Sequence, residues 1–182
     1  MSDSTDLLAL VKDLAIVHGK VTLSSGREAD YYVDAKRAVL RPTGFGALGE
    51  LIARYAHEWE ATAVGGLTMG ADPVATAMLH AAAAQGRVLD AFVVRKEAKA
   101  HGTGQQIEGN FRSGARVVVV EDVITSGGSA EKAIAAVTAA GGQVIGVLAV
   151  VDREQGGRQK LEAGGHVVVA LTTSSRLGLL SA

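Results

Sequence analysis

The chain has 182 residues, 48% hydrophobic but only 4% aromatic, with 23 Gly, 2 Pro and no Cys. It is expected to form one domain with a core of Ala, Val, Leu and Ile, without disulfides, thiolate metal sites or a cysteine nucleophile. Its 18 basic and 19 acidic residues leave a net charge of −1, which excludes a general electrostatic footprint for nucleic acid or an anionic membrane.

Acids precede the first apolar residues with neither a cationic leader nor a cleavage site, and no apolar run reaches ~18 residues, so a cytoplasmic protein without a membrane span is expected. After Ser4 and Thr5, Leu7, Leu8, Leu10, Val11, Leu14, Ala15 and Val17 recur at helical spacing up to Gly19 and predict an amphipathic helix. Two β-prone pieces, 20–23 and 31–33, flank the polar turn Ser24-Ser25-Gly26-Arg27, and Asp34 and Lys36 then read as a buried pair or an ion pair. Pro42 opens a second helix with Phe45, Leu48, Leu51, Ile52 and Tyr55 as its apolar stripe and Trp59 as a packing residue near its end.

From Ala61 the rhythm becomes strand, glycine turn, helix. Strand 62–65 leads through the turn 66–70 to helix 74–84, and 88–94 is the next strand. Strand 116–120 leads through 124–129 to helix 130–140, and strand 144–151 follows Gly141-Gly142. Valine runs without polar alternation belong to strands covered on both faces, the pattern of a parallel sheet in an α/β fold. No repeat or linker interrupts 1–182, so a single domain is expected. Between two of these strands, 95–111 is polar, carries Gly102 and Gly104, and reads as a hairpin with a long mobile tip. Arg95, Lys96, Lys99 and His101 fall within seven residues at the end of a buried strand, where open α/β sheets bind their ligands.

The most informative stretch starts at Val117 and ends at Ser129. Four valines run into Glu121 and Asp122, then Val123 and Ile124, then Thr125, Ser126, Gly127, Gly128 and Ser129 before a helix. Backbone N–H groups at a helix start, hydroxyl donors and glycines that admit close approach together make a phosphate cradle. Two carboxylates cannot share that phosphate; they suit a hydrogen-bond donor such as a ribose diol, or a divalent cation. Other loops fit worse. Gly65 to Gly70 has P-loop spacing but continues Ala71-Asp72, Gly102-Thr103-Gly104 lacks the dinucleotide pattern, and a phosphorelay receiver has no cradle after its acid pair. His18, His57, His80 and His166 lack mutual metal spacing and read as structural.

The segment Val117 to Ser129 resembles the phosphoribosyl pyrophosphate (PRPP) binding motif of the type I phosphoribosyltransferases. Leu23-Ser24-Ser25-Gly26-Arg27 with Tyr31-Tyr32, the run Arg95 to Gly102, and Val151-Asp152-Arg153 resemble the orotate phosphoribosyltransferase family in order and spacing, over roughly 18–154. The resemblance implies a central parallel sheet flanked by helices, a small amino-terminal hood from about 1–40 joined by the carboxyl-terminal segment, and a mobile β-hairpin loop. It also implies a homodimer and Mg²⁺-dependent transfer of the 5-phosphoribosyl group from PRPP to orotate, giving orotidine 5′-monophosphate and pyrophosphate in pyrimidine synthesis.

On the same resemblance, Glu121 and Asp122 hold the ribose hydroxyls, Val123 and Ile124 belong to the PRPP motif, and Thr125, Ser126, Gly127, Gly128 and Ser129 wrap the 5′-phosphate. Arg95 and Lys96 bind phosphate groups. Lys99 and His101 close over the pyrophosphate and, with Asp122, are the expected catalytic residues, with Lys96, Lys99 and His101 acting across the dimer interface. Thr125 and Arg153 hold orotate, backbone amides of 24–26 and 66–70 meet base and pyrophosphate, and Mg²⁺ is held mainly by PRPP and water. The chemistry agrees, because a departing pyrophosphate needs a cationic, closable loop and an arginine meets a carboxylate through paired hydrogen bonds. Alone, without the resemblance, Arg153 reads first as a surface ion-pair residue. Ser24 and Met69 stand where some members carry lysine and Thr103 where an acid can occur, and none is assigned a role. A phosphoribosyltransferase for another base and a PRPP-binding regulatory module are the alternatives.

Overall fold

The computed structural model describes residues 3–22, 28–97 and 106–179, and Ser24, Lys99, His101 and Thr103 lie outside the described residues. Helix α1 (Asp3–Ala15) buries Val11 and Ala15. It stops before the expected Val17, because Ile16 and Val17 instead open β1 (Ile16–Thr22), opposite Val33 and Tyr32 of the antiparallel β2 (Glu28–Val33). β-branched side chains fit a pleated surface, and a strand partner outweighs the helical period. A short α2 (Lys36–Val39) follows, then α3 (Pro42–Glu58) with Pro42 in its first turn and Leu48 and Ile52 buried. Trp59 packs against Gly146, where a Cβ would overlap the indole.

The rest is the predicted alternation with shifted limits. It runs β3 (Ala63–Leu67), α4 (Ala71–Ala84), β4 (Asp90–Val94), β5 (Ile107–Gly109), β6 (Arg116–Ile124), α5 (Gly128–Ala139), β7 (Gln143–Asp152), α6 (Gly157–Ala163) and β8 (Val168–Thr173). Val88 is 90% exposed, so β4 starts later than predicted. β6 does not end at Val120 but carries both acids to Ile124, because β7 stays in register with it through Glu121–Ala149, Val123–Val151 and Ile124–Asp152. The unit of α6 and β8 was outside the expected rhythm, its helix being only 7 residues long.

The main sheet has the order β5-β4-β3-β6-β7-β8; β3, β4, β6, β7 and β8 are parallel and β5 is an antiparallel edge closing the predicted hairpin. β1 and β2 form a separate two-stranded sheet. The valine run divides by alternation. Val118 and Val120 join Leu48, Ile52, Val74 and Met78 on one face, and Val117 and Val119 join Ala133, Val137 and Leu161 on the other. Burial on both faces is worth about 1.5–3 kcal/mol for each such side chain. Leu177, near the carboxyl end, belongs to the same core cluster as Val11 and Ala15. Among the described residues no helix is long and apolar enough to cross a membrane.

β3 lies between β4 and β6, so the chain leaves it in one direction to β4 and arrives on its other side at β6. That reversal opens a crevice at the carboxyl ends of β3 and β6, where such sheets take ligands.

Candidate active site

One wall of the crevice is the junction of β6 and α5. Gly127 caps α5 with φ +78°, a left-handed conformation that favours glycine, and the Gly127 carbonyl accepts the Glu131 N–H at 3.0 Å. The first turn of a helix leaves N–H groups without intrahelical acceptors, so this loop presents donors and the positive end of a dipole. Its shape is held from behind by α6. The Gly157 N–H donates to the Thr125 carbonyl at 3.1 Å, and a Cβ on Gly157 would lie 2.5 Å from that carbonyl oxygen and 2.7 Å from the Gly127 nitrogen. Ser126 and Ser129 are exposed and Thr125 is half-buried. Val123 and Ile124 are framework: the Val123 N–H donates to Asp122 Oδ1 at 2.9 Å, Ile124 is buried, and the Ile124 carbonyl accepts the Arg153 N–H at 2.9 Å.

The two acids differ sharply. Glu121 is 4% exposed with Oε1 unpartnered among the described residues, and burial, reinforced by the charge of Asp122, pushes its carboxyl up to about 8. Asp122 has a cation beside it: Lys36 Nζ lies 3.1 Å from its Oδ2 and 2.9 Å from Asp34 Oδ1. Burial alone pulls the Lys36 ammonium down, but the Asp34 hydrogen bond, the Asp122 charge and hydrogen bond, and the Asp34 charge together hold it above the ordinary lysine range. Asp34 and Lys36 are therefore an ion pair, and Asp122 is its third member.

The opposite wall is the turn from β3 to α4. Gly65 and Gly66 belong to β3 itself and are required by sheet packing, since a Cβ would overlap Phe92 at the first and the Val120 carbonyl at the second. Thr68 donates from Oγ1 to Asp72 Oδ2 at 2.8 Å, the Thr68–Met69 peptide is cis, and Met69 is exposed. Gly70 abuts Asp122 across the crevice: a Cβ there would overlap Asp122 Oδ1.

Arg153 follows β7, next to β6. It is 4% exposed, has no ion pair among the described residues, leaves Nε without a partner there, and stands with its guanidinium carbon 5.1 Å from the centre of the Tyr31 ring. That is not a surface ion-pair residue. Arg95 follows β4 directly and pairs across the hairpin base with Glu108 at 3.4 Å, and Lys96 is exposed beside it. The crevice thus combines a helix-end loop, an acid pair and a buried arginine, a set suited to a phosphorylated sugar beside an anionic group. Two contributors were not foreseen as such. Lys36 reaches Asp122 over 86 residues of sequence, and Gly157 had as its signal a glycine pair soon after Asp152-Arg153.

A family model described as the phosphoribosyl transferase domain matches residues 39–168. The orotate phosphoribosyltransferase of Streptomyces avermitilis is 56% identical over 161 residues, 88% of each chain. Among solved structures, the Mycobacterium tuberculosis orotate phosphoribosyltransferase in complex with Fe(III) dicitrate superposes with a TM-score of 0.87 at 51% identity, covering 97% of this chain and 99% of that one. A structure of the M. tuberculosis enzyme in complex with PRPP has a TM-score of 0.82 at 45% identity, with 97% of this chain and 99% of that one covered.

Proposed function

The chain belongs to the phosphoribosyltransferase family, and specifically among the orotate phosphoribosyltransferases; from that premise we propose that the crevice between β3 and β6 joins orotate to PRPP at the residues just described. What carries the residue-level reading is the junction itself, where Glu121 and Asp122 run within one strand into the Thr125 loop while Arg153, its Nε unpartnered among the described residues, lies at the end of the adjacent strand.

The 5′-phosphate sits on the N–H groups and hydroxyls of Thr125, Ser126, Gly127, Gly128 and Ser129, where the helix end favours negative charge. Ribose hydroxyls donate to the lone pairs that Asp122 retains, and Glu121, protonated at neutral pH, donates its own O–H to a ribose oxygen. Arg153 meets the orotate carboxylate through charge-assisted hydrogen bonds, with Thr125 beside it, and this selects a carboxylated base. The C1′–O bond to pyrophosphate breaks with its electron pair leaving on oxygen, the orotate N1 lone pair forms the new C1′–N1 bond, and the N1 proton passes to solvent or pyrophosphate. Arg95, Lys96, Lys99 and His101 balance the departing charge, the last three across a homodimer interface.

Among the described residues no three His, Cys, Asp or Glu gather as a metal cage, and Asp122 already holds Lys36, so these side chains offer a divalent ion little more than Asp122's remaining lone pairs. Mg²⁺ would be held mainly by PRPP and water, and it would supply positive charge to the departing pyrophosphate. The reading goes with a cytoplasmic enzyme of pyrimidine synthesis. A base-competition assay tests it: orotate is consumed with PRPP while hypoxanthine, adenine and uracil are not. Turnover of one of those bases without orotate would overturn the substrate assignment.

A further inference from the structure

We propose that Lys36 is a positioning residue for Asp122, fixing from the hood side the carboxylate that receives the ribose; the inference rests on the function proposed above. Lys36 Nζ bridges Asp34 Oδ1 at 2.9 Å and Asp122 Oδ2 at 3.1 Å. The three side chains are 30%, 25% and 14% exposed, partly shielded from the solvent that makes surface ion pairs weak. A pair serving the hood alone would need only Asp34, two residues away. Lys36 instead crosses to a strand 86 positions later.

The geometry explains what the contact does. Each carboxylate oxygen has two lone pairs. Lys36 occupies one on Oδ2 and the Val123 N–H one on Oδ1, so the plane of the group is set and one acceptor site on each oxygen remains. Gly70 closes in on Oδ1, leaving little room for the carboxylate to swing. The base of the lysine is fixed too: Asp34 donates its N–H to the Ala15 carbonyl at 2.8 Å, and Ala35, Ala38 and Val39 are buried in the core. There is also an electrostatic effect. Two neighbouring acids at a covered strand end repel one another, and an ammonium 3.1 Å from Asp122 Oδ2 offsets that repulsion.

Steady-state kinetics of Lys36→Met and Lys36→Arg against wild type test this, with thermal melting as the control for folding. Lys36→Met, which keeps most of the stem and loses the charge, is expected to lower kcat/KM for PRPP by about tenfold or more, the worth of one charge-assisted hydrogen bond, with KM for orotate changed less than about twofold. Lys36→Arg is expected to recover most of that loss, which a packing role would not produce. If the methionine variant does not fold, Lys36→Gln reads the same quantities. A folded, uncharged variant with wild-type kcat/KM for PRPP, or equal losses toward both substrates without rescue by arginine, overturns the positioning role alone. Wild type that fails to convert orotate with PRPP removes the functional reading and this inference with it.

Discussion

The Arg153 guanidinium carbon lies 5.1 Å from the centre of the Tyr31 ring, joining the end of β7 to the two-stranded β1–β2 sheet. The arginine is buried, and its Nε has no other partner among the described residues. A planar cation held by a ring face keeps its edge available for a carboxylate. Arg153→Lys, which retains charge but loses the paired donors, is expected to raise KM for orotate by about tenfold or more. Tyr31→Leu is expected to raise it by about two- to fivefold, in keeping with about 0.5–1 kcal/mol for a cation on a ring. Initial-rate measurements with orotate varied at saturating PRPP check both; an unchanged KM in Arg153→Lys would contradict the assignment.

Gly70 and Asp122 make contact across the crevice with no room for a methyl group. Gly70→Ala must push either the turn or the carboxylate aside, at a cost of about 1–3 kcal/mol for overpacking. Titration calorimetry is expected to show PRPP bound at least about fivefold more weakly, since 1 kcal/mol corresponds to roughly that factor. A variant that binds PRPP like wild type would show that Asp122 does not need this fixed position.

Gly157 supports the Thr125 to Ser129 loop from behind. Its backbone conformation is open to other residues, but a Cβ would lie 2.5 Å from the Thr125 carbonyl oxygen and 2.8 Å from Ile124 Cγ2. Gly157→Ala is expected to lose about 1–3 kcal/mol of stability through overpacking and to weaken affinity for ribose 5-phosphate as well as for PRPP. Denaturant melts alongside binding measurements separate the two effects. Reduced stability with unaltered affinity would mean that the loop keeps its shape without this contact.

Glu121 makes the stability of the free protein pH-dependent. Its carboxyl is raised from the ordinary 4.5 to about 8, so the folded state keeps a proton that the unfolded chain has released. The associated stability is complete below about 4.5, falls across the window up to about 8, and is gone above it. The slope within that window reaches about 1.4 kcal/mol per pH unit. Glu121→Gln, neutral throughout, should lose this slope and gain on wild type as pH rises from 5 to 8.5. Parallel pH curves of melting temperature for the two proteins would show that Glu121 ionises normally.

Much of this was legible in the residues. The valine run with the acid pair places a buried strand, and the Thr125 to Ser129 loop places the start of a helix, because each depends on local chemistry. The burial of Arg153 was not legible, since the Tyr31 ring beside it comes from β2, more than a hundred positions earlier in the chain. Strand order was hidden because parallel connections leave the same pattern whichever neighbour a strand takes. Ile16 and Val17 satisfy both a helix and a strand until Val33 and Tyr32 arrive opposite them. The Lys36–Asp122 pair spans 86 positions. Gly65 and Gly66, which look like ligand-approach glycines, are strand positions emptied for Phe92 and the Val120 carbonyl.

The central claim is that this crevice transfers a phosphoribosyl group to orotate, and the most direct measurement follows the ultraviolet absorbance of orotate in the presence of PRPP and Mg²⁺, with pyrophosphate release recorded in parallel. Orotate absorbance is expected to fall only when PRPP is present, with one pyrophosphate released per orotate consumed, and Arg153→Lys is expected to slow both together. Tight binding of PRPP with no loss of orotate and no pyrophosphate released would contradict the claim.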